Sequence, residues 1–130
     1  MKSFKVFINE AAGEITQRDL DGIENYADKL FAHVGVDINF TRHFIDRVND
    51  ARNRKQITVA ELIRLFRESF KKHGKAIAAL GKDAEAVLND MQTDVNMPFV
   101  LKWDGKEFDL VAKTIMRKRD FKTPDKKISF

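Results

Sequence analysis

The stretch that decides the fold runs from Pro98 to Lys118 and reads PFVLKWDGKEFDLVAKTIMRK. Apolar and polar side chains alternate on both sides of Asp104-Gly105, which is the pattern of two β-strands that each bury one face. An Asp-Gly pair favours a two-residue type I′ turn, because both central positions of that turn need a positive φ. The stretch therefore predicts an antiparallel hairpin.

The second arm of this hairpin is long and runs from Glu107 to Lys118. Strict alternation places Lys113 and Arg117 together on the face that we assign to solvent. It places on the core face Phe108, Leu110, Ala112, Thr114 and Met116. A turn at Thr123-Pro124-Asp125 and a short last strand over 127–130 follow this arm.

Upstream of the hairpin, apolar residues recur at intervals of three and four, which is typical of amphipathic helices. The pattern predicts three helices, over 17–33, 42–52 and 58–74. Thr41 is placed to cap the second helix, and Thr58 with Glu61 forms a capping box for the third. Ala84 to Met91 fits either a last helical turn or a first strand. The sequence therefore predicts an α+β fold, with N-terminal helices packed on a C-terminal antiparallel β-sheet.

The chain has 130 residues, which is enough for one domain with a core and too few for two ordinary domains. We expect a single domain over 14–130, preceded over 1–10 by an appendage that is either a strand or two helical turns. No apolar run exceeds five residues, so no transmembrane helix and no membrane partner are expected. The absence of cysteine excludes disulfides, thiolate zinc sites and a cysteine nucleophile, and it fits a reducing, cytoplasmic setting.

Positive charge is concentrated near the C-terminus. The formal net charge is +4, and Lys113 to Lys127 holds seven basic and two acidic side chains, a local charge of +5. The other 115 residues therefore sum to −1. Such a segment is typical of a protein that meets phosphates or an acidic partner, although a solvated face has the same composition.

His43 and Arg47 lie four residues apart on the predicted second helix, so their side chains share a face. If this helix approaches Lys113 and Arg117, the four side chains form a metal-free phosphoryl-transfer site. His43 would move the proton, and the cations would stabilise the developing charge. The alternative is a partly buried, hydrogen-bonded His43 with solvated cations. The three histidines lack metal-ligand spacing, so neither a metal nor another cofactor is predicted.

Further residues around and beyond the basic strand are candidates for nucleic-acid contact. Lysine and arginine neutralise phosphates, and Phe121 lies between cations where it can contact a base. The candidates are Thr114, Lys118, Arg119, Phe121, Lys122, Lys126 and Lys127. There is no Gly-rich phosphate loop and no G-x-S-x-G motif, so nucleotide hydrolysis and serine chemistry are unsupported.

The opening residues, MKSFKVFINEA, resemble the capsid-targeting leader of internal head proteins in T-even-like tailed phages. Such leaders direct a protein into the prohead, and the maturation protease cuts after a glutamate preceded two positions earlier by Ile or Leu. Ile8, Glu10 and Ala11 match that rule. The resemblance implies cleavage before Ala11, packaging in the phage head and delivery to the host cytoplasm. The alternative is an edge strand or a frayed terminus.

From about Phe40 to Phe130 the chain resembles the compact nucleases that include RelE-type, barnase-like and colicin-type ribonucleases. The features that carry this are His43-Phe44-x-x-Arg47 at a helix start, helices before a late sheet, and KTIMRK over 113–118. The resemblance implies metal-free RNA cleavage with His43 as general acid or base. It implies phosphate or transition-state contacts from Arg47, Lys113, Arg117 and Lys118, and a backbone-proximal contact from Thr114. Two departures are the predicted core position of Thr114 and the lack of a glutamate base.

Together with the basic segment, the two resemblances imply a phage protein that is packaged in the head, delivered to the host and active on nucleic acid, with metal-independent RNA cleavage as the enzymatic version. The expected partners are RNA or DNA, the phage prohead and its maturation protease, and a host protein. A competing hypothesis is a non-enzymatic basic module that inhibits a host defence or nucleic-acid-handling protein. A third is a structural head protein associated with DNA.

Overall fold

The computed structural model describes residues 13–130, and the predicted leader lies outside this range. The helices are α1 (Gln17–Phe31), α2 (Phe44–Val48) and α3 (Val59–Ala78), with short 3-10 turns at Ala32–Val34 and Ala51–Asn53. The strands are β1 (Val36–Phe40), β2 (Glu85–Asp90), β3 (Val95–Trp103), β4 (Phe108–Ala112), β5 (Met116–Arg117) and β6 (Lys126–Ser129). They form one sheet in the order β1-β4-β3-β2-β6, and β5 also pairs with β3.

The predicted α+β class, with helices packed against a later sheet, is confirmed, but the sheet is mixed rather than antiparallel. The central strand β3 is antiparallel to β2, β4 and β5. The outer strands are parallel to their neighbours, β1 to β4 and β6 to β2. These parallel pairs join segments far apart in the chain, which an alternating pattern within one hairpin does not reveal. The ambiguous stretch at 84–91 is strand β2.

Both long helices begin with a capping box. Thr16 and Asp19 exchange two side-chain-to-backbone hydrogen bonds of 3.0 Å at the start of α1. Thr58 and Glu61 exchange the equivalent bonds, of 3.0 and 3.1 Å, at the start of α3. Such a cap stabilises a helix by about 1 kcal/mol because it satisfies free backbone N–H groups. The third helix passes the predicted end at Gly74, where a Cβ would stand 3.0 Å from the Phe70 ring.

The core lies between the helices and one face of the sheet. The side chains of β3 on this face are fully buried, namely Val95, Met97, Phe99 and Leu101. Buried side chains of all three helices belong to the same core cluster as these residues. Arg64 of α3 also donates to Asp90, which is the direct partner of Val95 in the sheet. Each fully buried large apolar side chain contributes about 1.5–3 kcal/mol to folding. None of the helices between residues 13 and 130 has the length and apolar character needed to cross a lipid bilayer.

The long second arm of the hairpin is interrupted by a β-bulge. Phe99 pairs with Ala112 whereas Asn96 pairs with Met116, so residues 97–98 of β3 face the three residues 113–115. The extra residue reverses the alternation of faces beyond it. Arg117 therefore pairs with Val95 on the helix face.

Because of this reversal, the predicted faces of the second arm are wrong after Ala112. Ile115 is buried, whereas Thr114 and Met116, predicted as core residues, are only half-buried. Lys113 stays on the outer face, where it pairs with Glu85. Lys113 and Arg117 consequently do not share a face of the sheet.

The hairpin loop is longer than the predicted two-residue turn. Trp103 pairs with Phe108, so the loop contains the four residues Asp104–Glu107. The Asp104 carboxylate accepts hydrogen bonds from the backbone N–H groups of Lys106 at 2.9 Å and Glu107 at 2.8 Å. These side-chain bonds stabilise a wider turn and compete with the tighter one.

Candidate nucleic-acid interface

The second helix is shorter than the predicted 42–52 and contains only the five residues Phe44–Val48. Thr41 does not cap it, because its hydroxyl donates to the carbonyl of Lys113 at 3.0 Å and its N–H donates to the carbonyl of Ala112 at 3.1 Å. These bonds hold the start of α2 against the bulge at the end of β4.

His43 immediately precedes α2 and its side chain is 72% exposed, so the alternative of a partly buried histidine is wrong. Its Nδ1 lies 3.8 Å from a carboxylate oxygen of Asp46, which is also exposed. The backbone N–H of Arg47 donates to the carbonyl of His43, so these two residues have the helical spacing expected from the sequence. His43, Asp46 and Arg47 thus form an exposed group at one end of the fold.

Arg117 is not part of this exposed group. Its side chain is 13% exposed and forms a two-bond ion pair with Glu61 of α3, with Nη1–Oε2 and Nη2–Oε1 distances of 3.0 and 2.7 Å. The guanidinium also donates to the backbone carbonyls of Lys55, Gln56 and Thr93 at 3.3, 3.1 and 2.9 Å. The predicted four-residue site of His43, Arg47, Lys113 and Arg117 is therefore not assembled, since the last two lie on opposite faces of the sheet.

Glu61 is held in its ionised form by this arrangement. Burial raises the pKa of its carboxyl, but the hydrogen bonds from Arg117 and the Thr58 N–H, with the nearby charges of Arg117 and Lys55, outweigh burial and lower the pKa overall. The ion pair thus remains charged at neutral pH.

Asn53 makes a second connection that the sequence did not reveal. It is 3% exposed, and its side-chain oxygen accepts from the backbone N–H of Arg117 at 3.0 Å. Its amide donates to the carbonyls of Arg47 and Val48 at 3.0 and 3.2 Å. Asn53 therefore fastens the end of α2 to β5, although its place in the polar run Asn53–Gln56 indicated only a solvent-exposed loop.

These contacts bring two basic segments side by side. One is the loop after α2, and the other follows β5, where the Lys118 backbone donates to the Asp94 carbonyl at 2.8 Å. We give the name basic surface to five exposed cations on and beside these segments: Arg47 in α2, Arg54 and Lys55 in the loop, and Lys118 and Arg119 after β5. Arg52 of the same loop is left out because it is paired with Asp50 at 2.8 Å. Within residues 13–130, Arg119 has a carboxylate at 3.8 Å, from Asp94, and the other four have none within 4.0 Å.

The remaining predicted nucleic-acid contacts lie farther along the chain. Phe121 is half-buried and Lys122 is exposed. Lys126 and Lys127 belong to β6 at the sheet edge opposite β1, and Lys127 donates to the carbonyl of Phe121 at 3.0 Å. The basic residues between Lys113 and Lys127 are therefore spread over the molecule, on the outer face of the sheet, after β5 and at the β6 edge.

A cluster of carboxylates lies where β1 and β4 begin. Asp37 is the register partner of Asp109, and one oxygen from each of these and from Glu107 lie within 4.8 Å of one another. Asp28 of α1 lies next to them and accepts a hydrogen bond from the Ile38 N–H at 2.7 Å. Burial, together with Asp37 and Glu24, raises the pKa of Asp28 to about 6 despite that hydrogen bond.

Carboxylate oxygens are the ligands that hard cations prefer, so Asp37, Glu107 and Asp109 are the described residues most suited to hold one. The spacing of residues in the sequence predicted no metal site and gave no sign of this group. Parallel pairing of β1 with β4 joins residues some 70 positions apart, for which local spacing gives no signal.

No protein family matches this chain, and no curated protein or solved structure matches it either.

Proposed function

We propose that the protein binds nucleic acid through the basic surface. The observation that carries the proposal is the juxtaposition of two cationic segments around Arg117, whose own charge is neutralised by Glu61. Lys55 and Lys118 flank this ion pair and project from backbone that it holds in place. Exposed cations without nearby carboxylates are available to neutralise phosphates.

The contacts expected from such a surface are with the phosphate backbone rather than with base edges. A helix that reads the major groove has to present several side chains along the groove, whereas α2 has only five residues. Phosphate contacts fix position and carry little sequence information. We therefore expect binding with weak sequence preference and strong salt dependence.

The salt dependence can be stated as a slope. Each phosphate neutralised on duplex DNA contributes about −0.9 to the slope of log affinity against log salt, and about −0.7 on a single strand. If all five cations of the basic surface engage, the slope is about −4.5 on duplex DNA and about −3.5 on single-stranded RNA.

Fluorescence anisotropy with labelled single-stranded RNA and duplex DNA, between about 50 and 200 mM salt, tests the proposal. The double variant Lys55→Glu/Lys118→Glu should lose most of the affinity. A matched control, Lys82→Glu/Lys106→Glu, makes the same change in net charge at exposed lysines outside the basic surface. Equal losses in the two variants, or binding that salt does not change, would contradict this interface.

A second candidate function is metal-independent RNA cleavage, favoured by the exposed imidazole of His43 with Asp46 at 3.8 Å and Arg47 one turn along. An imidazole beside a carboxylate is suited to moving a proton, and a guanidinium to stabilising charge on phosphate. Cleavage of labelled RNA in EDTA should disappear in His43→Ala and persist in His33→Ala, which changes another exposed histidine. Intact RNA with the wild-type protein, or equal cleavage by both variants, would leave binding as the whole activity.

The leader resemblance adds a delivery step to the proposal: packaging in a phage head, cleavage after Glu10, and action in the host cytoplasm on nucleic acid. Ile8, Glu10 and Ala11 lie outside the described residues. Incubation with a T-even-type maturation protease should remove residues 1–10 from the wild-type protein and leave Glu10→Ala intact, as measured by mass spectrometry. The inhibitor hypothesis uses the same basic surface, and binding to an acidic host protein with no binding to nucleic acid would favour it.

A further inference from the structure

Arg117 lies beneath the basic surface, and every N–H group of its guanidinium already donates a hydrogen bond. A guanidinium has five N–H donors, and the five hydrogen bonds to Lys55, Gln56, Glu61 and Thr93 use all of them. The two side chains of the ion pair are 13% and 17% exposed. A phosphate could reach Arg117 only if this set of bonds were first broken.

The partners of Arg117 come from three separate places in the fold. They are the loop before α3, the first turn of α3, and the turn between β2 and β3. Arg117 itself belongs to β5, and the backbone of Lys118 continues directly from it. The carbonyl of Lys55 and the backbone of Lys118 are thereby fixed relative to each other through one side chain.

We infer that Arg117 and Glu61 are a positioning pair for the basic surface. Nucleic-acid binding depends on this pair, although neither of its side chains touches the nucleic acid. The inference rests on the proposed function. Binding requires several mobile cations to engage phosphates at once, and holding their backbones at a fixed separation lowers the entropy lost on binding. Without the pair, the loop that carries Arg54 and Lys55 is held less firmly to the segment that carries Lys118, although the hydrogen bond from the Arg117 N–H to Asn53 remains.

For neutralisation of Glu61, a positioning role and a purely electrostatic role predict opposite changes in affinity. Neutralising an acid beside a surface that binds a polyanion should raise affinity if only charge matters, and more so if the freed arginine can reach a phosphate. A positioning role predicts the opposite, since Arg117 then loses its strongest partner. A fall in affinity therefore indicates a positioning role, and a rise indicates a purely electrostatic one.

The experiment compares Glu61→Gln with Glu107→Gln, which also removes one negative charge but lies in the hairpin loop away from the basic surface. Glutamine retains the capping-box role at residue 61, so α3 keeps its N-terminal cap. Affinity for single-stranded RNA of about 12 nucleotides is measured by anisotropy, with circular dichroism and denaturation to establish that each variant is folded. Glu61→Gln should weaken binding by about tenfold, equivalent to about 1.4 kcal/mol, and Glu107→Gln should leave it unchanged or slightly stronger.

The slope of log affinity against log salt concentration is a second readout, and a loss of folded protein would not change it. Glu61→Gln keeps every cation of the basic surface, yet its slope should be shallower than that of the wild type, because fewer cations engage together. An unchanged slope, or affinity equal to or above that of Glu107→Gln, would overturn the positioning role. No binding by the wild-type protein would instead contradict the proposed function itself.

Arg117→Lys gives an independent check of direct contact. Lysine keeps the charge but cannot make the fork of bonds to Glu61 and the three carbonyls. A positioning role predicts affinity well below wild type for this folded variant. Affinity close to wild type would mean that the charge acts on the nucleic acid directly.

Discussion

Two regions of this protein concentrate like charges, and they manage the repulsion in different ways. In the basic surface, Asp94 lies 3.8 Å from Arg119, and Glu61 neutralises Arg117 beneath the exposed cations. Around the carboxylate cluster of Asp37, Glu107 and Asp109 and the neighbouring Asp28, no lysine or arginine of the described chain lies within 4.0 Å of a carboxylate oxygen. In the first region an ion pair between opposite charges stabilises the fold. In the second, burial and repulsion between carboxylates raise the pKa of Asp28.

The largest effect expected from this comparison is the loss of stability on removing Arg117. Arg117→Ala leaves the mostly buried carboxylate of Glu61 without its partner and leaves three backbone carbonyls without a donor. Breaking such a pair costs about 3–5 kcal/mol. Urea denaturation measures the change in unfolding free energy.

Arg119→Ala is the matched control, because that side chain is 83% exposed and its nearest carboxylate oxygen is 3.8 Å away. It should change stability by no more than about 0.5 kcal/mol. Similar losses in both variants would mean that the Arg117 ion pair contributes little to folding.

The alternating pattern around Arg117 predicted a functional cation on the solvent face of the sheet. The side chain lies instead on the helix face. The predicted alternation holds through Leu110 and Ala112, and the α+β class and the capping box of Thr58 and Glu61 are as the sequence indicated. A bulge inserts one residue and reverses every later side chain, and nothing in Lys113-Thr114-Ile115 marks its position. Local periodicity therefore predicted the two long helices and the hairpin strands, but neither the length of α2 nor the register between strands.

The candidate site shows the same limit. Charge counting identified Lys118 and Arg119 as candidate contacts, since their concentration is a property of the sequence itself. It could not show that Lys55 lies beside them, because that contact depends on Asn53 and Arg117, which are 64 positions apart. The carboxylate cluster was missed for a related reason, since parallel strands bring Asp37 and Asp109 together.

The next effect in size is a loss of stability in acid that depends on Glu61. The folded pKa of its carboxyl is lowered from the usual 4.5, so its contribution is fully present above pH 4.5 and is lost as the pH falls through the lowered value. The difference in unfolding free energy between wild type and Glu61→Gln should therefore shrink as the pH falls from about 5.5 through the lowered pKa of Glu61. A difference that stays constant over this interval would mean that ionisation of Glu61 does not stabilise the fold. Protonation leaves some hydrogen bonds to Arg117, so the effect is smaller than that of Arg117→Ala.

The smallest effect has the opposite sign and comes from the carboxylate cluster. The folded pKa of Asp28 is raised from 3.8 to about 6, so ionised Asp28 destabilises the fold, and this destabilisation grows as the pH rises from 3.8 through 6. Asp28→Asn keeps an oxygen for the Ile38 N–H and removes the charge beside Asp37. It should raise the free energy of unfolding by about 1 kcal/mol at pH 7, with Asp46→Asn, at a 77% exposed site, changing it by about 0.5 kcal/mol or less. The gain should disappear below pH 3.8, where the carboxyl is protonated in both states, and a gain that persisted there would place its origin in packing rather than in charge.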